Sequence, residues 1–367
     1  MGGDHAPAEP VAGAVQAARE LGIAVTLVGP RDIVAAELAR HQTKALPIDV
    51  VDAPDVIDMA EHPAQAVRRL PNSSMNVAVR LVKSGKADAF VSAGNTGAAM
   101  IASLFGLGRL PGVERPALSS IFPTAKGRCL ILDIGANTDC RPEHLAQFAM
   151  MGERYSRLVL GVSRPRVGLL SNGEEETKGN KVVQDAHQLL KQAGLNFVGN
   201  VEGKDVPRGE ADVVVCDGFV GNVMIKLAEG IGEFTFALMR EEISKSPLAV
   251  VGALLLRPAL RQIRRRVDYQ EYGGAPLLGV RGVVIVAHGR SRARAIRNAL
   301  RVADQAAQAK LVAALALPPS EKTTEAEAAS PQAENGLPRE PESTSGVPAD
   351  DQAPAMDEGN AGARERT

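Results

Sequence analysis

Four short apolar runs in this sequence end in turns rich in Gly and Asn, and those turns expose most of the groups with chemistry to offer. They are Ser92-Ala-Gly-Asn-Thr-Gly97, Asp133-Ile-Gly-Ala-Asn137, Ser171-Asn-Gly-Glu-Glu-Glu-Thr-Lys-Gly-Asn180 and Asp217-Gly-Phe-Val-Gly-Asn222. Glycine lets the main chain approach a ligand closely. Bare amides at a helix start attract anions. The pattern therefore predicts one crevice, rich in backbone donors, for a phosphate-bearing or otherwise anionic substrate. The elements behind the turns follow from the same runs. Apolar stretches lying between helical segments read as strands buried on both faces of a parallel sheet. In such sheets the carboxyl ends of the strands line the ligand crevice.

Strand and helix patterns alternate along most of the chain. Helices are predicted over residues 10–21, 31–41, 73–84, 96–108, 142–158, 180–192, 220–243 and 292–315, and further strands over 23–29, 48–52 and 283–287. Ser73 or Ser74 suits a helix cap, and Pro142 with Glu143 suits a first turn. The expected class is α/β with a mainly parallel sheet. Of 367 residues 45% are hydrophobic, enough for a large core. With 3% aromatics and no Trp there is little material for base stacking. Residues 318–367 carry eleven Asp/Glu against four Lys/Arg, net -7, which leaves +6 on residues 1–317. That excess fits anionic ligands or an acidic partner and is too small to argue for nucleic acid. The segment 318–367 is rich in Pro, Glu, Ala and Ser and reads as a disordered acidic tail. Cys129, Cys140 and Cys216 form no disulfide or metal-ligand pattern, so no metal is expected. The sequence does not open on a signal-peptide pattern, and the cytoplasm is the expected compartment.

Residues 246–268 differ from the rest. A run of apolar residues from Leu248 to Leu256 precedes Arg257, Arg261, Arg264, Arg265 and Arg266, with Leu260, Ile263 and Val267 between them. This reads as an apolar helix beside a basic amphipathic one, bounded by Pro247 and Pro258. It is either a core or dimer contact with a solvated charged face, or a protruding element that touches a membrane surface or an acidic carrier.

The motifs resemble the PlsX family, acyl-acyl-carrier-protein:phosphate acyltransferases of bacterial phospholipid synthesis. Besides the four turns, the matching stretches are Met1-Gly-Gly-Asp-His-Ala-Pro7, Arg115-Pro-Ala117, Tyr272-Gly-Gly-Ala-Pro-Leu-Leu-Gly279 and Ala287-His-Gly289, in the family's order. The resemblance implies a three-layer Rossmann-like α/β/α fold over residues 1–317, related to phosphotransacetylase and isopropylmalate dehydrogenase folds, and a homodimer. It implies acyl transfer from acyl-carrier protein to orthophosphate without a cofactor, feeding a membrane acyltransferase. The family pattern also has a short strand ahead of the Met-Gly-Gly-Asp segment. We expect that strand to be encoded upstream of Met1.

For such a reaction a thioester is already activated, so the protein must hold phosphate, aim it and stabilise an oxyanion. The resemblance makes Lys178 the first candidate for charge neutralisation, with Asn222 and Asn180 as amide donors. Gly94, Asn95, Thr96 and Gly97 would cradle phosphate through their amides, with Gly2, Gly3, Asp4, His5 and His288 nearby and Asp133 and Asn137 orienting their loop. Each has a plainer role: an ion pair with Glu174, Glu175 or Glu176 for Lys178, a tight turn for the glycines, capping for the Asn and Asp residues. Arg257, Arg261, Arg264 and Arg265 would meet the partner or membrane, and Arg115 the carrier's phosphate. Cys216 reads as packing. The rival functions are a phosphotransacetylase-like enzyme using acyl-CoA, a nicotinamide-dependent dehydrogenase, and a membrane-surface scaffold.

Overall fold

The computed structural model describes residues 1–267 and 271–316. The tail at 318–367 and the side chains of Arg264 and Arg265 lie outside the described residues. The described residues form one compact unit. In chain order it contains α1 (Ala8–Leu21), β1 (Val25–Gly29), α2 (Arg31–Leu38), β2 (Ile48–Asp52), α3 (Pro63–Arg69), α4 (Ser74–Lys83), β3 (Ala89–Ser92), α5 (Thr96–Leu107), β4 (Ala117–Thr124) and β5 (Gly127–Leu132). There follow α6 (Pro142–Leu158), β6 (Val167–Leu170), α7 (Lys181–Gln192), β7 (Phe197–Val201), β8 (Val213–Val215), α8 (Gly218–Ser244), α9 (Pro247–Val267), β9 (Ala275–Leu278), β10 (Val283–Val286), α10 (Ala293–Gln308) and α11 (Leu311–Leu315).

Eight strands form the central sheet in the order β3-β10-β9-β4-β5-β8-β6-β7, and β1 and β2 make a separate parallel pair. The main sheet is two parallel halves, β3-β10 and β5-β8-β6-β7, which approach each other from opposite directions. β9 and β4 join them through antiparallel pairings. The register carries one row across the sheet: Val91 beside Ile285, Ile285 beside Pro276, then Ser119 beside Leu132, Leu132 beside Val215, Val215 beside Leu169 and Leu169 beside Asn200. The Ser119 hydroxyl donates to the Pro276 carbonyl at 3.0 Å and closes the row between the halves. Six strands end one residue past or at this line, so both halves deliver their carboxyl ends to it.

Alternation along the strands fills both faces. Leu130, Leu132, Val213, Val215, Val283 and Ile285 enter one large cluster under α6, α7, α10 and α11. Their neighbours point the other way, where the core is split. Phe90, Val284 and Val286 pack with α3, α4 and α5. Cys129, Ile131, Val214 and Cys216 pack with Met224 and Ile225 of α8. Ile134, just after β5, packs against both groups and marks the seam between them. This is the three-layer α/β/α arrangement.

Three differences from the sequence reading concern local chemistry. β4, β7 and β9 were not expected as strands: β4 contains Ser119, Ser120 and Pro123, and β9 is four residues long inside a Gly-flanked motif. Pro258 does not bound a helix but lies inside α9, which runs unbroken from Pro247. The last helix is two, because Lys310 takes φ 51° between α10 and α11.

Candidate active site

The seam is built around one carboxylate. Asp133 is fully buried, and its Oδ1 accepts from the amides of Leu118 (3.0 Å), Gly135 (3.2 Å) and Ala136 (3.0 Å). Its Oδ2 accepts from Asn137 N (2.6 Å) and Nδ2 (2.8 Å). Burial pushes this carboxyl above the ordinary aspartate range, and the hydrogen bonds from Ala136, Asn137 and Leu118 pull it back. Asn137 spends its remaining Nδ2 donation on the Pro116 carbonyl at 2.7 Å, while exposed Arg115 stands beside it. Asp133 and Asn137 thus shape the loop, with both Asp133 oxygens and the Asn137 Nδ2 engaged within it.

α8 starts against this loop. Asp217 caps it by accepting from Val220 N at 2.9 Å. Gly218 N donates to Asn137 O at 2.7 Å. Gly221 has no side chain because a Cβ there would overlap the Asp133 carbonyl oxygen. Half-buried Asn222 donates from Nδ2 to the Ile134 carbonyl at 3.0 Å, and Gly135 at φ 140° lies against the same amide. The Cys216 thiol points at the Asp133 carbonyl at 3.4 Å, and burial pushes its pKa well up, so it is a packing group.

The other half of the row carries the amino-terminal segment. Asp4 N donates to Gly289 O at 3.1 Å, and a Cβ on Gly3 would stand 2.6 Å from Ala93 O. Gly2 takes φ 85° against Ile57. Gly94 lies against the Met1 carbonyl and gives its amide to Ser92 Oγ at 3.2 Å. Gly2, Gly3, Asp4 and Gly94 with Gly289 therefore form one backbone-dense patch, with half-buried His5 following it. His288 lies here too, held below the ordinary histidine pKa by burial first and then by the Arg290 cation; Glu229, Lys226 and Asp4 are near enough to act on it. Lys226 and Glu229 belong to α8, and Arg290 pairs with Glu233 of the same helix at 3.2 Å. One helix thus walls the seam at Asn222 and the His288 patch one to two turns later.

Asn95 does not offer its side chain to a ligand. Its Oδ1 caps α5 by accepting from Ala98 N at 3.0 Å, and its Nδ2 holds the carbonyls of Asp58, Met59 and Glu61. The amides of Thr96 and Gly97 remain in the first turn, where no intrahelical acceptor exists.

Lys178 comes from the loop after β6, the strand next to β8, so its loop neighbours the Asn222 turn. It lies six strands from β3, or about 29 Å at the usual spacing. Asn95 and Lys178 are therefore on opposite flanks, and Asn222 sits between them. Two of the three expected acidic partners of Lys178 are taken by others: Glu176 by Lys191 at 2.8 Å and Glu174 by Lys204 at 3.8 Å. Among the described residues no carboxylate pairs with the exposed Lys178 ammonium. Its stem lies over Gly173, where a Cβ would come within 2.7 Å of Lys178 Cγ. Asn180 caps α7 by accepting from Val183 N at 3.0 Å. Glu174, Glu202 and Asp205 converge nearby, with Lys204 paired to both glutamates.

The two-half sheet with its Gly/Asn turns on a shared row defines the class: a three-layer α/β/α fold with a mainly parallel sheet. Its architecture is similar to that of EutD phosphotransacetylase from Staphylococcus aureus (TM-score 0.55, 19% identity, covering 82% of this chain and 92% of that one). It is also similar to a phosphotransacetylase from Streptococcus pyogenes (TM-score 0.53, 18% identity, 82% and 91%). The family described as "Fatty acid synthesis protein" matches residues 1–314. The chain is 54% identical over 312 residues to the phosphate acyltransferase of Pelotomaculum thermopropionicum, covering 85% of this chain and 91% of the relative. It is 52% identical over 305 residues to that of Geobacter sulfurreducens, covering 83% and 88%. The chain belongs to the phosphate acyltransferase family its motifs resembled.

Proposed function

We propose that this enzyme transfers an acyl group from acyl-[acyl-carrier protein] to orthophosphate, giving acyl phosphate and free carrier for phospholipid synthesis. Phosphate oxygen attacks the thioester carbonyl, and the carrier thiolate leaves. The protein supplies charge neutralisation and alignment in place of a nucleophile of its own. Lys178 holds the phosphate and the developing oxyanion, with Asn222 and the amides of its turn beside it. The patch of Gly2, Gly3, Asp4 and His288 and the first-turn amides of Thr96 and Gly97 line the far flank of the seam, too distant to share one phosphate with Lys178. The observation that carries this reading is the exposed Lys178 ammonium, which no carboxylate pairs among the described residues, while Glu176 and Glu174 of its own loop are engaged by Lys191 and Lys204.

The two long helices serve contact. Phe219, Val223, Leu227, Ile231, Phe234 and Leu238 form an exposed stripe along α8, with Phe234 67% exposed. That stripe meets a second copy of the chain in a homodimer. α9 presents Leu248, Leu254, Leu255 and Leu256 beside exposed Arg257 and Arg261. It rests on an anionic membrane surface or the acidic carrier; no helix of the described residues is long and apolar enough to cross a membrane. The test is release of free carrier from palmitoyl-carrier protein and phosphate, with palmitoyl-CoA as the competing donor. Lys178→Ala should lose most turnover while keeping its circular dichroism. Full turnover in that variant removes Lys178 from the mechanism, and preference for the CoA thioester removes the carrier.

A further inference from the structure

The loop that carries Lys178 contains little regular structure, and its main-chain bonds can be followed one by one. Gly179 N donates to Asn172 Oδ1 at 2.8 Å, and Gln184 Nε2 donates to the carbonyls of Thr177 (2.8 Å) and Gly179 (3.1 Å). Those ties come from the loop itself or from the helix it leads into. One comes from elsewhere. The Glu175 carbonyl accepts from Lys178 N at 3.0 Å and from Asn200 Nδ2 at 2.8 Å. Asn200 is on β7, opposite Leu169, in the row where the strands end. It is 6% exposed, and its Oδ1 meets Nδ1 of His187, 3% exposed, at 2.9 Å. The His187 ring is set edge-on to Phe197, centroids 5.0 Å apart.

A buried polar pair of this kind is costly unless it is fully used. Here the use is directional. Asn200 gives its NH2 to Glu175 O, so its Oδ1 faces the ring, and His187 must carry its proton on Nδ1. Turning the Asn200 amide over would set oxygen against the Glu175 carbonyl. Ring tautomer and amide orientation therefore fix each other, and together they fix the carbonyl that receives the Lys178 amide. We propose that Asn200 and His187 are positioning residues for phosphate use: a buried relay from α7 through β7 that holds the Lys178 loop in its working shape. This rests on the reading that Lys178 meets phosphate.

Asn200→Asp keeps the size and the contact with His187 but cannot donate to Glu175 O. His187→Leu removes the ring proton, and His187→Asn restores a donor near the Nδ1 position. The expected result for Asn200→Asp and His187→Leu is a loss of about 10- to 100-fold in kcat/KM for orthophosphate. KM for palmitoyl-carrier protein should not move, and His187→Asn should recover most of the loss. Hydrogen exchange at the Lys178 amide should quicken while the amides of α7 stay protected. In a Lys178→Ala background, Asn200→Asp should add little further loss. Folded variants with unchanged Lys178 exchange and unchanged phosphate kinetics would overturn the proposal even where Lys178→Ala is inactive. A fully active Lys178→Ala would instead overturn the catalytic reading beneath it. Should Asn200→Asp fail to fold, the His187 pair decides the question alone: equal phosphate kinetics in Leu and Asn variants refutes the relay.

Discussion

Replacing Asp133 by Asn tests whether the seam is organised around a charge. The two side chains have nearly the same shape, so packing is held constant. Asn must place an NH2 where one carboxylate oxygen stood. Oδ1 serves three amides and Oδ2 two donors, both from Asn137. The cheaper orientation gives up Oδ2 and sets an NH2 against Asn137 N and Nδ2. Two hydrogen bonds to a charged acceptor, at about 1.5–3 kcal/mol each, amount to about 3–6 kcal/mol. A neutral amide is easier to bury than a carboxylate whose pKa burial already raises, which returns part of that. The net loss should be about 2–4 kcal/mol, a large share of a total of about 5–15 kcal/mol. Urea midpoints by circular dichroism measure it. Asp133→Leu, which strands all five donors, should cost more than Asp133→Asn. Were Asp133→Asn within about 0.5 kcal/mol of the parent, the size of an ordinary surface change, the carboxylate would not be what shapes residues 133–137.

Other consequences can be measured separately. Burial first and then the Arg141 cation hold His144 below its ordinary pKa of 6.5 against the opposing pull of Glu114, and Nδ1 accepts from Arg141 N at 3.1 Å. The unfolded chain therefore binds this proton first as pH falls, so His144 contributes stability that is complete above about 6.5 and lost below it. His144→Gln should flatten the fall in urea midpoint below pH 6.5, leaving the part due to His288, also held low; an unaltered slope would contradict the assignment. Leu227→Glu with Ile231→Glu, on the open α8 stripe, should yield monomer in sedimentation, and an unchanged sedimentation coefficient would place any dimer contact elsewhere. Leu254→Ser with Leu255→Ser should weaken flotation with vesicles containing anionic lipid without lowering the thermal midpoint. Equal flotation would remove α9 from membrane contact.

Much of the scaffold was legible because burial on both faces leaves a plain signature. The runs before Ser92, Asp133, Ser171 and Asp217 all became strands, and the Gly/Asn turns all fell on one line. α6 was legible to the residue, since Pro142 and the apolar spacing specify it locally. What failed to show was whatever depends on partners distant in sequence. β4 owes its pairing to β5 and β9, and its Ser119 is polar in a strand because Pro276, 157 positions away, accepts its proton. β7 was obscured by Gly199 and Asn200, and only the fold reveals that Asn200 faces His187. Asn95 stands at a helix start, as its Gly/Asn turn suggested, yet its grip on the 58–61 loop could not be seen, because nothing in residues 58–61 signals three carbonyls aimed at one amide. The Lys178 loop posed the opposite problem: three glutamates in a row suggested self-pairing, and the lysines that draw two of them away lie on α7 and beyond β7.

Gly221 has a mechanical consequence. α8 is 27 residues long, a rod of about 40 Å, clamped at its root by bare backbone on backbone with no side chain to act as a cushion. One degree of tilt at that clamp swings the tip by about 0.7 Å on a lever of that length. The bearing is stiff and the arm is long, so a displacement of about 1 Å at the tip reaches Asn222 at the root as a turn of only about 1.5°.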